Sequence, residues 1–419
     1  MILSRRQVLA AAAFAPLAIA GCTRRARSEL EFWAMGAEAE KMPELLTDVR
    51  RAGLPPVRIQ PLPWSAAHEK LLTAFAGGSL PDLGQIGNSW IAELAAIDAI
   101  EPVPAELTRL VDGQFPGVVE TNRIDGRLMA LPWYVDTRLQ FYRRDLFERA
   151  GFASPPDRWD LWKAALHAVQ ANSGGGGFAI LLPINEYEHL TQMALSAGAS
   201  LLNADGTRGA FRAAEFRTAL AFYKSLFDEK LAPIAGAAQI SNVWNEFARG
   251  YFAVYPSGPW TIGDMKSRLP AQLQRSWATA PFPGPAGPGR STPGGSSLVV
   301  YKSTRNAGAA WRLIMQLVAP AGQQRLQELT GDLPPTRNVW ASSGLLSDPI
   351  TEAFALQLER TSPLPKVPEW ERIATEMQTV AELFVRGRMN IDEAVTEMDK
   401  RADRLLEKRR WMLSRRRAA

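Results

Sequence analysis

The residues able to do chemistry are few and scattered. The 419-residue chain holds three histidines and one cysteine. His68, His167 and His189 lack the spacing of a tetrahedral zinc set, which argues against a metal site. No serine stands in a Gly-x-Ser-x-Gly turn, and no Ser-His-Asp arrangement stands out. The run Gly174 to Gly177 lacks the Lys-Ser/Thr of a phosphate loop and reads as a flexible connector. Carboxylates and flat rings remain, with 43 acidic residues and 13 tryptophans. Two carboxylates such as Glu38 and Asp136 could flank a glycosidic bond and cleave it. They could equally accept hydrogen bonds from hydroxyl groups and break nothing. Tryptophan faces serve either a core or a stacked ligand. Residue chemistry alone leaves holding and cleaving both open.

The lone Cys22 ends the stretch SRRQVLAAAAFAPLAIAGC. A single thiol makes no disulfide within one chain. A short basic region, an apolar core of about 7–15 residues and small residues at its end form a secretory signal. The run is short of the roughly 20 residues of a membrane span. Ile19-Ala20-Gly21-Cys22 resembles the bacterial lipobox, and Ser4-Arg5-Arg6-Gln7-Val8-Leu9 resembles a twin-arginine export motif. Residues 1–21 are therefore expected to be a signal peptide and 22–28 a linker after a lipidated Cys22. The exported part would carry no thiol to misoxidise.

The formal net charge of +5 invites a nucleic-acid reading, so its location matters. From Lys400 onward nine basic residues face two acids, whereas Cys22 to Asp399 carries 37 basic and 41 acidic residues. Basicity is a property of the tail. A helix ending in cations suits the negative end of the helix dipole. Contact with anionic headgroups is the alternative reading. Export and a slightly acidic body both oppose nucleic acid.

Positioning falls to an alternation of short apolar strands and longer amphipathic segments, the pattern of an α/β protein. Strands are expected at 29–35, 57–64 and 82–87, with helices over 37–51, 68–78 and 89–100. Ligand sites in such sheets lie at the strand carboxyl ends, here near Met35-Gly36 and Gly87-Asn88. Glu38 is placed to accept from a hydroxyl or to favour a helix start, and one of Asn88 and Ser89 is expected to cap a helix. The Asp125-Gly126 pair signals a hairpin, 280–297 a long surface loop, and 331–340 a break. Helix is expected from Pro368 to the end. Asp82 and Asp145 read as structural, Trp159 as packing, and Trp33 and Trp64 as core or cleft.

These marks fall in a recognisable order. GGSLPDLGQIGNSW, IDGRLMALPWYVDTRLQFYRRDLFERAG, NEFARGYFAVYPSGPW, GGSSLVVYKST and TGDLPPTRNVW together resemble the extracellular sugar-binding proteins of ABC importers, family 1 of the solute-binding proteins. The likeness spans essentially the whole mature chain. It implies the two-lobed periplasmic-binding-protein fold of type II, α/β in class, with a hinge and an interlobe ligand cleft. The lobes would comprise 29–135 with 295–337, and 136–294 with 338–419, crossing near 131–138, 290–297 and 331–340. Asp136 stands where the family places a polar ligand group, Trp260 where it places a stacking ring, and Gly294 and Gly295 where bare backbone meets ligand. Glu38, Asn88, Ser89, Tyr187, Arg337, Trp370 and Trp90 complete the candidates. The resemblance implies a monomer without cofactor or metal, a neutral sugar of the trehalose or maltose class, and permease subunits as partners. It further implies an N-terminal lipid anchor to the membrane. A polyol or a sugar phosphate such as glycerol phosphate is the alternative cargo, and an exported glycoside hydrolase the alternative class.

Overall fold

The computed structural model describes residues 29–49, 54–172, 177–240 and 242–418. The export segment and Cys22 lie outside them. Two sheets organise the chain. The first has the order β2-β1-β3-β10-β6, from strands Leu30–Met35 (β1), Val57–Leu62 (β2), Leu83–Gly87 (β3), Leu131–Asp136 (β6) and Gly294–Val300 (β10). Here β1 pairs in parallel with β2 and β3, while β10 runs antiparallel to β3 and β6. All five residues of β3 are buried, as expected of a central strand covered on both faces. Helix Trp64–Ala76 buries Ala67, Leu71 and Ala74, one stripe at helical spacing, and stops at Gly77. Asp82 accepts the Glu31 N–H at 2.9 Å and the Thr304 hydroxyl, tying the start of β1 to the segment that follows β10 at the same end of the sheet. Strands Arg123–Ile124 (β4) and Arg127–Leu128 (β5) make the expected hairpin. Its turn residues Asp125 and Gly126 have φ of 49° and 75°, the two positive values that a tight hairpin requires.

The second sheet is antiparallel, order β8-β7-β9, from Leu139–Arg143 (β7), Val254–Ser257 (β8) and Trp277–Ala280 (β9). A larger helical core packs beside it around the fully buried Trp162, Phe211, Phe216 and Tyr223. Trp159 stacks on Phe222 with centroids 4.2 Å apart, so it is a packing residue. Helix Ile391–Leu405 opens with a reciprocal Asn390–Glu393 capping box.

Three segments connect the two lobes. Thr137 and Arg138 join β6 to β7, residues 281–293 join β9 to β10, and 331–336 join helix Pro320–Thr330 to helix Arg337–Ser342. They are bonded to one another. Thr137 Oγ1 donates to the Thr292 carbonyl at 3.0 Å, Ser291 Oγ to the Arg138 carbonyl at 3.0 Å, and the Val135 N–H to the Leu333 carbonyl at 2.8 Å. Under them Phe115, Val118, Val135, Leu333 and Trp340 form a cluster continuous with the second sheet. The expected surface loop at 280–297 is only partly one. Phe282 and Ser291 are fully buried, because the segment is itself a connection between lobes and its ends run through the interior.

The pairing of β10 with β6 is tight. An added Cβ on Gly295 (φ 95°) would lie 2.4 Å from the Tyr134 carbonyl oxygen. Gly295→Ala is therefore expected to lose roughly 2–3 kcal/mol of stability, from backbone strain and displaced pairing. Calorimetric unfolding of the ligand-free chain measures it, and an unchanged thermal midpoint would contradict this account of the crossing.

Candidate functional site

Between the lobes lies a cleft composed of two adjoining cavities. One, of about 890 Å³, is lined among others by Glu38, Trp64, Asp136, Trp260, Lys266 and Asp332. The other, of about 270 Å³, is lined by Asn88, Trp90, Arg138, Tyr187, Glu188 and Gly294. Trp64, Asp136, Trp260 and Gly295 line both. Sheet ends and helix starts position these groups. Glu38 follows β1 by three residues, Trp64 opens the helix after β2, Asp136 ends β6, and Trp260 opens helix Trp260–Arg268 after β8.

The aromatic rings are unusually wet. Trp260 is 53% and Trp64 38% exposed, although both sit in a concavity. Such flat apolar area, left uncovered on opposite lobes, is what a ring-shaped ligand can bury. Trp90 lies edge-on to Trp64, with centroids 5.7 Å apart. Arg138 lies over the Trp260 ring at 5.5 Å and is held by Glu188 at 3.0 Å and Glu186 at 3.4 Å.

Carboxylates supply the opposite character. Burial pushes the Asp136 carboxyl from 3.8 up to about 6, against the pull of Arg138 and of the Gly295 N–H that it accepts. Glu38 is buried, takes a hydrogen bond from the Tyr134 hydroxyl and shares another with Asp332. Asp332 also receives the Thr330 hydroxyl at 2.8 Å. Burial first, and Glu38's charge second, raise Asp332 well above the carboxylate range. Burial likewise raises Glu38, so the pair favours keeping a proton between its two members. A site so arranged offers hydroxyl ligands both acceptors and a donor.

Most candidates converge here, but several do so for other reasons than expected. Asn88 caps no helix: its amide donates to the Gly294 carbonyl at 2.8 Å and accepts from Ser297 at 2.7 Å. It positions the crossing strand while also lining the smaller cavity. Gly294 and Gly295 answer to Asp136 and the neighbouring strand, since a Cβ on Gly294 would lie 2.0 Å from Asp136 Oδ1. Tyr187 lines the smaller cavity while its hydroxyl donates to Glu371 at 3.1 Å. Ser89 lines that cavity too. Arg337 lines neither cavity. It turns outward at the hinge, bidentate to Glu359 at 2.6 and 2.7 Å and over the Phe115 ring. Trp370 is 1% exposed and belongs to the core of the second lobe, touching only a recess of about 30 Å³ beside the cleft. Trp33 is buried as well. Sequence reasoning passed over Arg138, Glu188, Lys266 and Asp332. Arg138 and Asp332 fall inside the expected crossings, and that position was the available signal.

A hinged pair of α/β lobes with an acid- and indole-lined cleft defines a protein built to enclose a small solute. The chain belongs to the bacterial extracellular solute-binding protein family, whose sequence model matches residues 55–324. It is similar to a solved structure of the sugar-binding protein MalE from the phytopathogen Xanthomonas citri, 45% identical, with TM-score 0.89 over 92% of this chain and 99% of that one. It is 27% identical to a putative binding protein of Brucella abortus, over 83% of this chain and 85% of the relative. It is 21% identical to the diacetylchitobiose binding protein of Streptomyces coelicolor, over 90% and 89%.

The raised Asp136 makes a pH-dependent contribution of definite sign. Between its ordinary value and about 6, the folded chain holds more protons at this carboxyl than the unfolded chain does. Its contribution therefore turns against folding as pH rises through that window. Asp136→Asn should stabilise the ligand-free protein at pH 7 relative to pH 4 by on the order of 2–3 kcal/mol compared with wild type. Calorimetry at both pH values tests this; the same change at each would show that Asp136 is not held in a desolvated place.

Proposed function

We propose that this protein is the capture component of an ABC-type importer. It binds a neutral sugar, a disaccharide of the trehalose or maltose class, outside the cytoplasmic membrane and presents it to permease subunits. The observation that carries the reading is the shared lining of one cleft by Trp64 from the first lobe, Trp260 from the second and Asp136 at the hinge. Sugar rings have C–H faces for indoles and rim hydroxyls for carboxylates, and each desolvated hydroxyl needs a partner. The relatives' names support the same class, including a maltotriose-binding protein of Pyrococcus abyssi. An anionic cargo fits poorly, because Glu38, Asp136, Asp332 and Asp348 line the larger cavity against the single cation Lys266.

Mechanistically, the open and closed forms differ in whether both tryptophans touch ligand. A solute that contacts both lobes binds the closed form better and shifts the population toward it. Asp136, next to the Thr137-Arg138 crossing, keeps its carboxylate near the rotation axis, where it can serve both forms. The bonds of the solute stay intact, since capture calls for no nucleophile. By this reading Cys22 carries lipid and holds the monomer at the membrane face.

Trp260→Ala should weaken disaccharide binding at least tenfold while moving the ligand-free thermal midpoint by no more than about 2 °C, because a half-exposed ring contributes little to the core. Titration calorimetry with maltose, trehalose and glycerol phosphate, followed by chromatography of the recovered sugar, tests the reading. Heatless titrations throughout, or hydrolysed sugar, would end it. Separately, Cys22→Ser is expected to release the protein from membranes washed in high salt; full retention in the washed membranes would contradict lipidation.

A further inference from the structure

The last helix, Glu407–Ala418, is amphipathic in an unusual sense. Its inner side is anchored. Leu406, just before it, is fully buried, and Arg410 donates to the Thr207 carbonyl at 2.8 Å and the Asp403 carbonyl at 2.6 Å. Its outer side carries Trp411, 56% exposed, and Met412, 42% exposed, next to each other in sequence. Trp411 is the most exposed large apolar residue among those described, ahead even of Trp260 in the cleft. Cations flank the pair along the helix, with Glu407 the one acid of its first turn. Lys408 is exposed one turn before, and Arg415 lies 4.5 Å over the Trp411 ring one turn after. From Glu407 to the end the sequence has six basic residues and one acid, whereas Cys22 to Asp399 is net acidic.

A solvated helix end explains the cations but not the indole and thioether among them. An exposed apolar pair flanked by Lys408 and Arg415, on a helix with one acid, complements a surface that is anionic outside and greasy beneath. Indole rings settle at the headgroup level of a bilayer, with cations on the phosphates around them. Charge complementarity and the extracellular family both favour this occupant over nucleic acid. We propose that helix Glu407–Ala418 is a reversible docking foot for an anionic phospholipid surface, with Trp411 and Met412 entering the headgroup layer. The foot is independent of the cleft and, resting on the lipidation of Cys22 proposed above, would be a second membrane contact. It would hold the second lobe against the membrane plane in which a permease sits. Unlike an acyl chain, it is released by salt, because its cations exchange with counterions.

The full-length chain carrying Cys22→Ser and Met412→Cys has one thiol, at the proposed contact, and takes an environment-sensitive fluorophore there. Vesicles of phosphatidylglycerol are expected to blue-shift the label. Phosphatidylcholine vesicles should not, and 0.5 M salt should weaken the apparent affinity at least tenfold. Replacing Lys408, Arg415, Arg416 and Arg417 by Gln in the same chain should abolish the shift while circular dichroism still reports a folded protein. The proposal is overturned by an equal shift with both lipids, by no shift with either, or by a shift that survives the four substitutions. A larger response to duplex DNA than to the anionic vesicles would also overturn it.

Discussion

The antiparallel pairing of β10 with β6 at the hinge is the constraint on which the cleft depends. It puts Gly294 opposite Asp136 and Gly295 opposite Val135, with no room for a side chain on either glycine. Two of the three interlobe connections end in this pair of strands, so their register sets where the lobes meet. The same register places the Asp136 carboxylate over the Gly295 N–H and within reach of both cavities. Asn88, directly after β3, reinforces it by clamping Gly294 and Ser297. In the proposed function, hinge geometry and ligand geometry are thus one arrangement, which would couple binding to lobe movement without a separate relay.

The cleft concentrates groups that weaken the folded protein by itself. Its carboxyls are pushed toward their neutral forms by burial and by each other, and two large indoles stand in water. The proposed sugar, by covering the rings and bonding the acids, would relieve both. Binding sites commonly give up some stability in this way, and the rest of the fold must supply it. Here the supply is conventional: a five-stranded sheet in one lobe, a tryptophan-rich helical core in the other, and the Phe115–Trp340 contact beneath the crossings.

Much of the architecture was legible because local chemistry marks it. Strand and helix alternation, the Asp125-Gly126 turn and the Gly-Pro-Trp turn before Trp260 are short-range signals, and the order of motifs carried the family. Errors arose where a residue's partner is distant in sequence. Arg337 looked like a cleft cation until Glu359 and Phe115 were seen to hold it at the hinge. Trp370 looked like a ligand platform, but helix packing buries it. Asn88 carried the signature of a helix cap, yet its amide bonds across more than two hundred residues.

What the sequence determined by itself was whatever depends on periodicity and on neighbours along the chain: the elements, the α/β class, the basic tail and the inventory of acids and indoles. Folding alone fixed which members of that inventory meet. Glu38 and Asp332 are separated by nearly the whole first lobe and most of the second in sequence, yet they hold each other across a hydrogen bond. Their chemistry follows from burial and proximity, and neither quantity exists until the chain has folded. Whether a tryptophan becomes core or cleft is settled in the same way, by the surfaces that close over it.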